Sequence, residues 1–208
     1  MNLPEKAKFL YEMRGLTISN EDTYIRVYPS FIRYFSLLDK ITANDFVIAA
    51  NFVYGWMPTI LDLSGTDDDW SKAANILTLA KINRLRSHSE LKFLAGLVNN
   101  SIVGVSKILH FLNPSEHAIW DSRVYRYLMN STGHHYQVNS ARNYLRYQEI
   151  CDEMSHWPEV TAVTAAISAK TGYQITPLRA IEITMFIHGG KPASMPNSVQ
   201  IQSATTDI

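Results

Sequence analysis

The chain has 208 residues, 46% of them apolar and 18% charged, with a single cysteine. That length allows one large domain or two small lobes around a real core, and the composition is ordinary for a globular protein. One cysteine, Cys151, excludes an intramolecular disulfide and any cysteine-built zinc or iron–sulfur site.

Met1 to Lys8 is charged and lacks a signal-peptide apolar core, and no apolar run reaches about 18 residues. No membrane association is expected, and the cytoplasm is the default compartment. The formal net charge is zero, but it is unevenly spread. Residues 71–150 hold ten Lys/Arg against four Asp/Glu, and the remainder holds nine against fifteen. A basic middle between acidic flanks suits a one-sided anionic partner, or else is a set of solvated helix faces.

Apolar residues recur at three- and four-residue spacing and no run alternates with period two, so the expected fold is all-α with eight to ten helices. Ser19-Asn20-Glu21-Asp22 precedes Tyr24, Ile25, Tyr28 and Phe31, as a helix start should. Thr42 with Asp45 opens a second helix, and Thr66 with Asp69 a third. Gly65 between these two predicts a C-cap. Within the second, Gly55 permits close approach and Pro58 kinks or ends the helix. Glu90 to Val98 is amphipathic through Leu91, Leu94 and Leu97, and Asn99-Asn100-Ser101 is turn material. Gly104 allows a positive φ or a close approach, and helix resumes from Val105 to Leu112. Thr176-Pro177 starts the last helix and Gly189-Gly190 stops it. Residues 189–208, rich in Ser, Thr, Pro and Gln, predict a disordered or loosely attached tail. Residues 1–188 then form one helical domain, or two lobes with the hairpin lobe over about 66–150. In the two-lobed arrangement the N-terminal and final helices share the other lobe, and a ligand cleft lies between them.

The chemistry concentrates between Ser101 and Arg126. Lys107 lies one turn past Gly104, and Asp121 opens the next helix after the loop Asn113–His117. Lys107 reads as a solvated charge, a phosphate contact, or an amine made nucleophilic in a desolvated site. Asp121 is a good N-cap, and the same placement suits an anion beside a cationic sugar transition state, since a helix N-terminus favours negative charge. A helical hairpin there would expose backbone amides to a DNA phosphate.

Gly104-Val105-Ser106-Lys107 resembles the Gly-Val-Gly-x-Lys hairpin of the helix-hairpin-helix DNA glycosylases, the endonuclease III and 8-oxoguanine glycosylase-like superfamily. Ala118-Ile119-Trp120-Asp121-Ser122-Arg123-Val124 resembles their aspartate run. The likeness is confined to Ser101–Arg126. It implies a two-lobed helical bundle with a helix-hairpin-helix motif and a double-stranded DNA partner. Lys107 would attack the anomeric carbon in a bifunctional enzyme, with Asp121 as the catalytic carboxylate. Gly104 and Ser106 would grip phosphate. The pattern departs from the family in three places. Lys107 and Asp121 are 14 residues apart, closer than in the endonuclease III branch; Ser101-Ile102-Val103 replaces a Leu-Pro-Gly opening; and Ser106 stands for the second glycine. Short 8-oxoguanine glycosylases with a compact loop to the aspartate look nearer. Some family members carry a four-cysteine cluster, which this chain cannot build.

A base-acting enzyme must stack an everted base between aromatic or apolar faces. Asn51, Phe52, Tyr54 and Trp56, with Tyr28 and further walls from Tyr24 and Tyr34, are the candidate pocket, although aromatics at helical spacing are commonly core. Lys81, Arg84, Arg86, Arg123, Arg126, Arg142 and Arg146 fit a phosphate-lined groove whose binding weakens with salt. His110, on an apolar helix, reads as a hydrogen-bonded core residue, and His134-His135 as loop. No metal and no cofactor is expected.

The leading expectation is therefore a monomeric DNA glycosylase that flips a damaged or modified base and cleaves its N-glycosidic bond. It could act in repair of an oxidised purine or in defence against phage carrying a hypermodified cytosine, with or without lyase activity. The alternatives are a non-catalytic helix-hairpin-helix DNA-binding module and a helical interaction protein without nucleic acid.

Overall fold

The computed structural model describes residues 1–19, 21–57 and 59–190. Among them are eleven helices: α1 (Lys6–Arg14), α2 (Thr23–Ser36), α3 (Ala43–Trp56), α4 (Asp67–Ala80), α5 (His88–Leu97), α6 (Ile102–Leu112), α7 (Ser122–Met129), α8 (His135–Val138), α9 (Ala141–Ser155), α10 (Pro158–Thr171) and α11 (Pro177–His188). The fold is all-α. The count passes ten because α8, a single turn in a polar stretch, carries no apolar period to read.

Side-chain caps set most of the starts. Asp22 accepts from the Tyr24 amide. Thr42 and Thr66 each form a reciprocal box with the aspartate three residues on, which satisfies two otherwise unpaired groups at once. Thr176 accepts from the Arg179 amide, and Pro177 occupies the first helical position. Gly65 does not cap α3, which already ends at Trp56 with Met57 as its cap. It lies instead at φ +96° just before α4, where a Cβ would strike Leu97. That segment is held by an isolated antiparallel bridge between Leu63 and Val98. The kink assigned to Pro58 lies outside the described residues, as does the predicted tail from residue 191 onward.

Two sets of helices pack around one continuous core. In the first, α3 lies along α4, and α6 is enclosed by α2, α3, α4 and α5. In the second, α11 is surrounded by α7, α9, α10 and α1, and α9 reaches across to α5 and α6. Helix α1 thus packs with α10 and α11, while α2 to α6 form the other set. Every residue of α6 from Gly104 to Leu112 is buried, as an apolar helix enclosed by neighbours must be.

Polar side chains inside this core are mostly spent on backbone. The Ser106 hydroxyl accepts from the Trp120 amide at 3.0 Å and donates to the Val103 carbonyl at 2.8 Å. Gln148 accepts from the Ala118 amide at 2.7 Å. These bonds pin the 113–121 loop against α6 and α9, and so fix where Asp121 starts α7.

Candidate functional site

A cavity of about 550 Å³ opens between the two helix sets. Lys107 of α6 and Asp121 at the head of α7 both line it. Its walls come from Tyr24 and Ile25 of α2, Trp56 and Met57 at the end of α3, and Ile183 and Phe186 of α11. Arg179 and Glu182, also of α11, add to the charged lining, as do Asp22 at the start of α2 and Arg123 of α7.

Asp121 is the N-cap of α7, and its Oδ1 accepts from the amides of Arg123 at 2.8 Å and Val124 at 3.0 Å. One oxygen serves the helix, so the other is free to face an occupant of the cavity. Lys107 is 6% exposed and stands outside every ion pair found among the described residues. Burial lowers its ammonium pKa, while the charges of Asp121 and Glu182 resist that and Arg179 adds to it.

Arg179 and Glu182 pair through Nη1 and Oε2, and both are almost fully buried. The guanidinium lies 4.7 Å from the Tyr28 ring centroid and 5.9 Å from that of Trp56, a cation held against π faces. Its Nε, and the indole Nε1 of Trp56, are buried without a hydrogen-bond partner among the described residues. Burial pushes the Glu182 carboxyl up to about 7; Arg179 opposes the rise and Asp121 adds to it. A buried ion pair is weak support for stability, and shifted acids and amines converging in a cleft mark a candidate site.

Behind Arg179 runs a chain of neutral groups. The His110 Nδ1–H donates to the His117 carbonyl at 2.6 Å, because a carbonyl can only accept, so Nε2 accepts from the Tyr28 hydroxyl at 2.7 Å. His110 is fully buried, and desolvation with the nearby Arg179 charge holds its pKa well below the ordinary histidine value. His117 donates from Nε2 to the Ala80 carbonyl at 3.0 Å, and burial lowers its pKa to about 4. Both imidazoles serve the core. No group of three or more His, Cys, Asp or Glu suited to a metal occurs among the described residues.

Of the expected pocket residues, Trp56 alone lines the cavity. Tyr28 lies beneath Arg179. Phe52 stacks on Phe31 at 5.4 Å and meets Tyr34 at 5.3 Å. Tyr54 is buried, with its hydroxyl donating to the Val98 carbonyl at 2.9 Å. Asn51 points outward and bonds its own helix at Val47. Asn51, Phe52 and Tyr54 are therefore withdrawn from the pocket wall, because the α3 faces that carry them turn to solvent or to core. Tyr24, expected only as a further wall, does line the cavity.

The phosphate contacts need correction too. Gly104 is buried against Tyr54 and Ser106 is buried beside Trp120, so neither reaches a surface. The first amides of α6 are also engaged: Ile102 donates to Asn139 and Gly104 to the Ser101 hydroxyl. A phosphate-gripping hairpin has no free donors at those two positions. Arg84 is enclosed by Glu116 at 3.3 Å and Asp152 at 2.7 Å, and Lys81 is tied to the Phe35 carbonyl at 2.7 Å. Arg126 donates to the Gly189 carbonyl at 2.9 Å, and Arg146 pairs with Glu149. Arg86 and Arg142 remain exposed away from the cavity. Arg123 lines the cavity, with its guanidinium 4.4 Å from the Phe186 ring centroid.

Arg179 and Glu182 were not anticipated. The signal was present, since two opposite charges at i, i+3 interrupt the apolar run Leu178, Ala180, Ile181, Ile183. Charges that must be buried are usually paired. No family model, no curated protein and no solved structure matches this chain. Among the described residues, no helix is long and apolar enough to cross a membrane.

Proposed function

We propose that the chain is a DNA glycosylase that takes a damaged or modified base and its sugar into the cavity between the two helix sets. The supporting observation is convergence: an amine on a core helix and a carboxylate at the head of the next helix face one cavity of about 550 Å³. Such a volume falls within the range of small-molecule sites. Asp121 would stabilise positive charge developing at the anomeric carbon. Lys107 would attack that carbon, forming a covalent intermediate and giving lyase activity. Trp56, Tyr24 and Phe186 would wall the everted base. The partner in this reading is duplex DNA, met by a monomer in the cytoplasm, in repair or in phage defence. The engaged α6 amides speak against a module whose only role is to grip phosphate.

The test is a panel of duplexes carrying 8-oxoguanine, 5-hydroxymethylcytosine or glucosylated hydroxymethylcytosine, each incubated with protein and then treated with alkali. Alkali-labile breaks on at least one modified duplex are expected. They should vanish in D121N, and K107Q separates lyase from monofunctional chemistry. Intact strands throughout the panel would overturn the reading for these bases.

A further inference from the structure

The proposed chemistry needs Lys107 as a free amine, and the lost proton must go somewhere. Lys107 is sealed in the core on every side but the cavity, and five charged groups share that cavity with it: Asp22, Asp121, Arg123, Arg179 and Glu182. The two arginines cannot accept a proton. Asp22 is exposed and Asp121 only half-buried, and each is committed through Oδ1 to capping its own helix. Glu182 is 2% exposed and fixed through one oxygen by Arg179, and no backbone group among the described residues binds its carboxyl.

Resting on the lysine role proposed above, we propose that Glu182 is the proton acceptor and donor for Lys107, held in position by Arg179. In the resting site Lys107 is an ammonium and Glu182 a carboxylate. Among the described residues Lys107 and Glu182 form no direct ion pair. As a sugar aldehyde enters, the proton therefore passes from Nζ through a bridging water to the carboxylate, leaving a neutral amine and a carboxylic acid. The amine lone pair adds to the aldehyde carbon, the carbonyl π electrons move to oxygen, and a proton shift from nitrogen to oxygen gives a neutral carbinolamine. Glu182 then returns its proton to the carbinolamine hydroxyl, which leaves as water while nitrogen forms the iminium. Every proton is conserved, and Glu182 ends as the carboxylate it began as.

The groups whose charge bears on Glu182 are Arg179 on its own helix, Lys107 from α6, Asp121 from α7, Tyr28 from α2, and Tyr147 and Cys151 from α9. From α1 and α10 only apolar and hydroxyl side chains are buried. Burial pushes the two phenols and the thiol up and keeps them protonated. Within this set, Lys107 is lowered by burial and Glu182 raised by it. Both shifts bring the donor and acceptor closer together.

An abasic-site duplex supplies the aldehyde without any knowledge of the base. The experiment is cyanoborohydride trapping of the full chain on that duplex across pH, for wild type, E182Q and K107Q. Wild type should form a covalent adduct that K107Q does not form. E182Q should trap about a hundredfold more slowly at neutral pH, and its rate should climb steadily with pH as solvent takes over the proton. A purely electrostatic Glu182 gives the opposite sign, because removing its negative charge releases the lysine proton more easily and speeds trapping. Faster or unchanged trapping in E182Q overturns the assignment. If melting shows that E182Q does not fold, E182D retains the charge and withdraws the carboxyl. It should then trap about tenfold more slowly, and an unchanged rate is again fatal. Absence of any wild-type adduct removes this step with the lysine chemistry, whereas base release on the modified panel would leave the Asp121 glycosylase reading standing.

Discussion

Burial of neutral His117 makes stability depend on pH in a direction that can be worked out in advance. Its folded value is about 4 against 6.5 in an unfolded chain. The unfolded state therefore takes up a proton first as pH falls. The contribution of His117 is complete above 6.5 and is lost progressively toward 4. A gap of that size corresponds to about 3 kcal/mol in total, with about 2 kcal/mol gone by pH 5. Glu182 runs the other way. Its folded value is about 7 against 4.5, so its contribution is present below 4.5 and is lost as pH rises through 7, again about 3 kcal/mol. His110, also held well below the ordinary value, runs with His117, so the two histidines outweigh Glu182 and wild type should lose stability toward acid; difference curves isolate each group. Urea unfolding followed by far-UV circular dichroism at pH 7.5, 6, 5 and 4.5 should be run on wild type, H117Q and E182Q. Glutamine at 117 can keep the donor to the Ala80 carbonyl without titrating. Wild type should lose stability relative to H117Q as pH falls, and gain relative to E182Q over the same range. A level wild-type-minus-H117Q difference from 7.5 to 4.5 would refute the buried-neutral assignment.

Three further outcomes follow from the geometry. Asparagine caps helices about as well as aspartate, so D121N should melt within a few tenths of a kcal/mol of wild type, roughly, while D121A should lose about 1 kcal/mol; base release should be lost in both. A Cβ on Gly104 would lie 2.7 Å from the Tyr54 hydroxyl oxygen, so G104A should cost about 1–3 kcal/mol by urea unfolding. The cost should shrink in a Y54F background, where the nearest clashing atom is gone. Replacing the Arg179–Glu182 pair by apolar residues, as in R179M/E182L, should raise stability by about 1–4 kcal/mol while slowing adduct trapping on the abasic-site duplex. A less stable double variant would mean that the pair serves the fold.

How far the chain could be read in advance depended on how local each signal was. Thr42, Thr66 and Thr176 are legible because a cap is made by residues three apart, and no distant contact is needed to place them. The phase of α3 was not legible. That helix is apolar on most of its circumference, so nothing local says which of Asn51, Phe52, Tyr54 and Trp56 faces a cavity. The answer depends on α2, α4 and α6. Arg84 looked like surface because Glu116 and Asp152, which enclose it, are far along the chain. Ser106 looked like a substituted glycine, yet its hydroxyl accepts from a backbone amide 14 residues away.

Arg179 and Glu182 show why a site can exceed its motif. Helix α6 is buried from Gly104 to Leu112, and Lys107 opens onto the cavity that α11 helps to line. An amine placed there needs counter-charge within the same low-dielectric space, or it remains a costly isolated ion. Asp121 holds the α7 cap with one oxygen, and Glu182 brings a second carboxylate to the same cavity. A second carboxylate so deeply buried needs a cation of its own, which Arg179 supplies across one helical turn. Tyr28 and Trp56 then give that guanidinium its π faces. Each step follows from the one before through desolvation, and the chain begins at a single lysine set in an apolar helix. A charge at an interior position of an apolar run therefore predicts further buried charges on whichever helix packs opposite it, even where no local pattern names them.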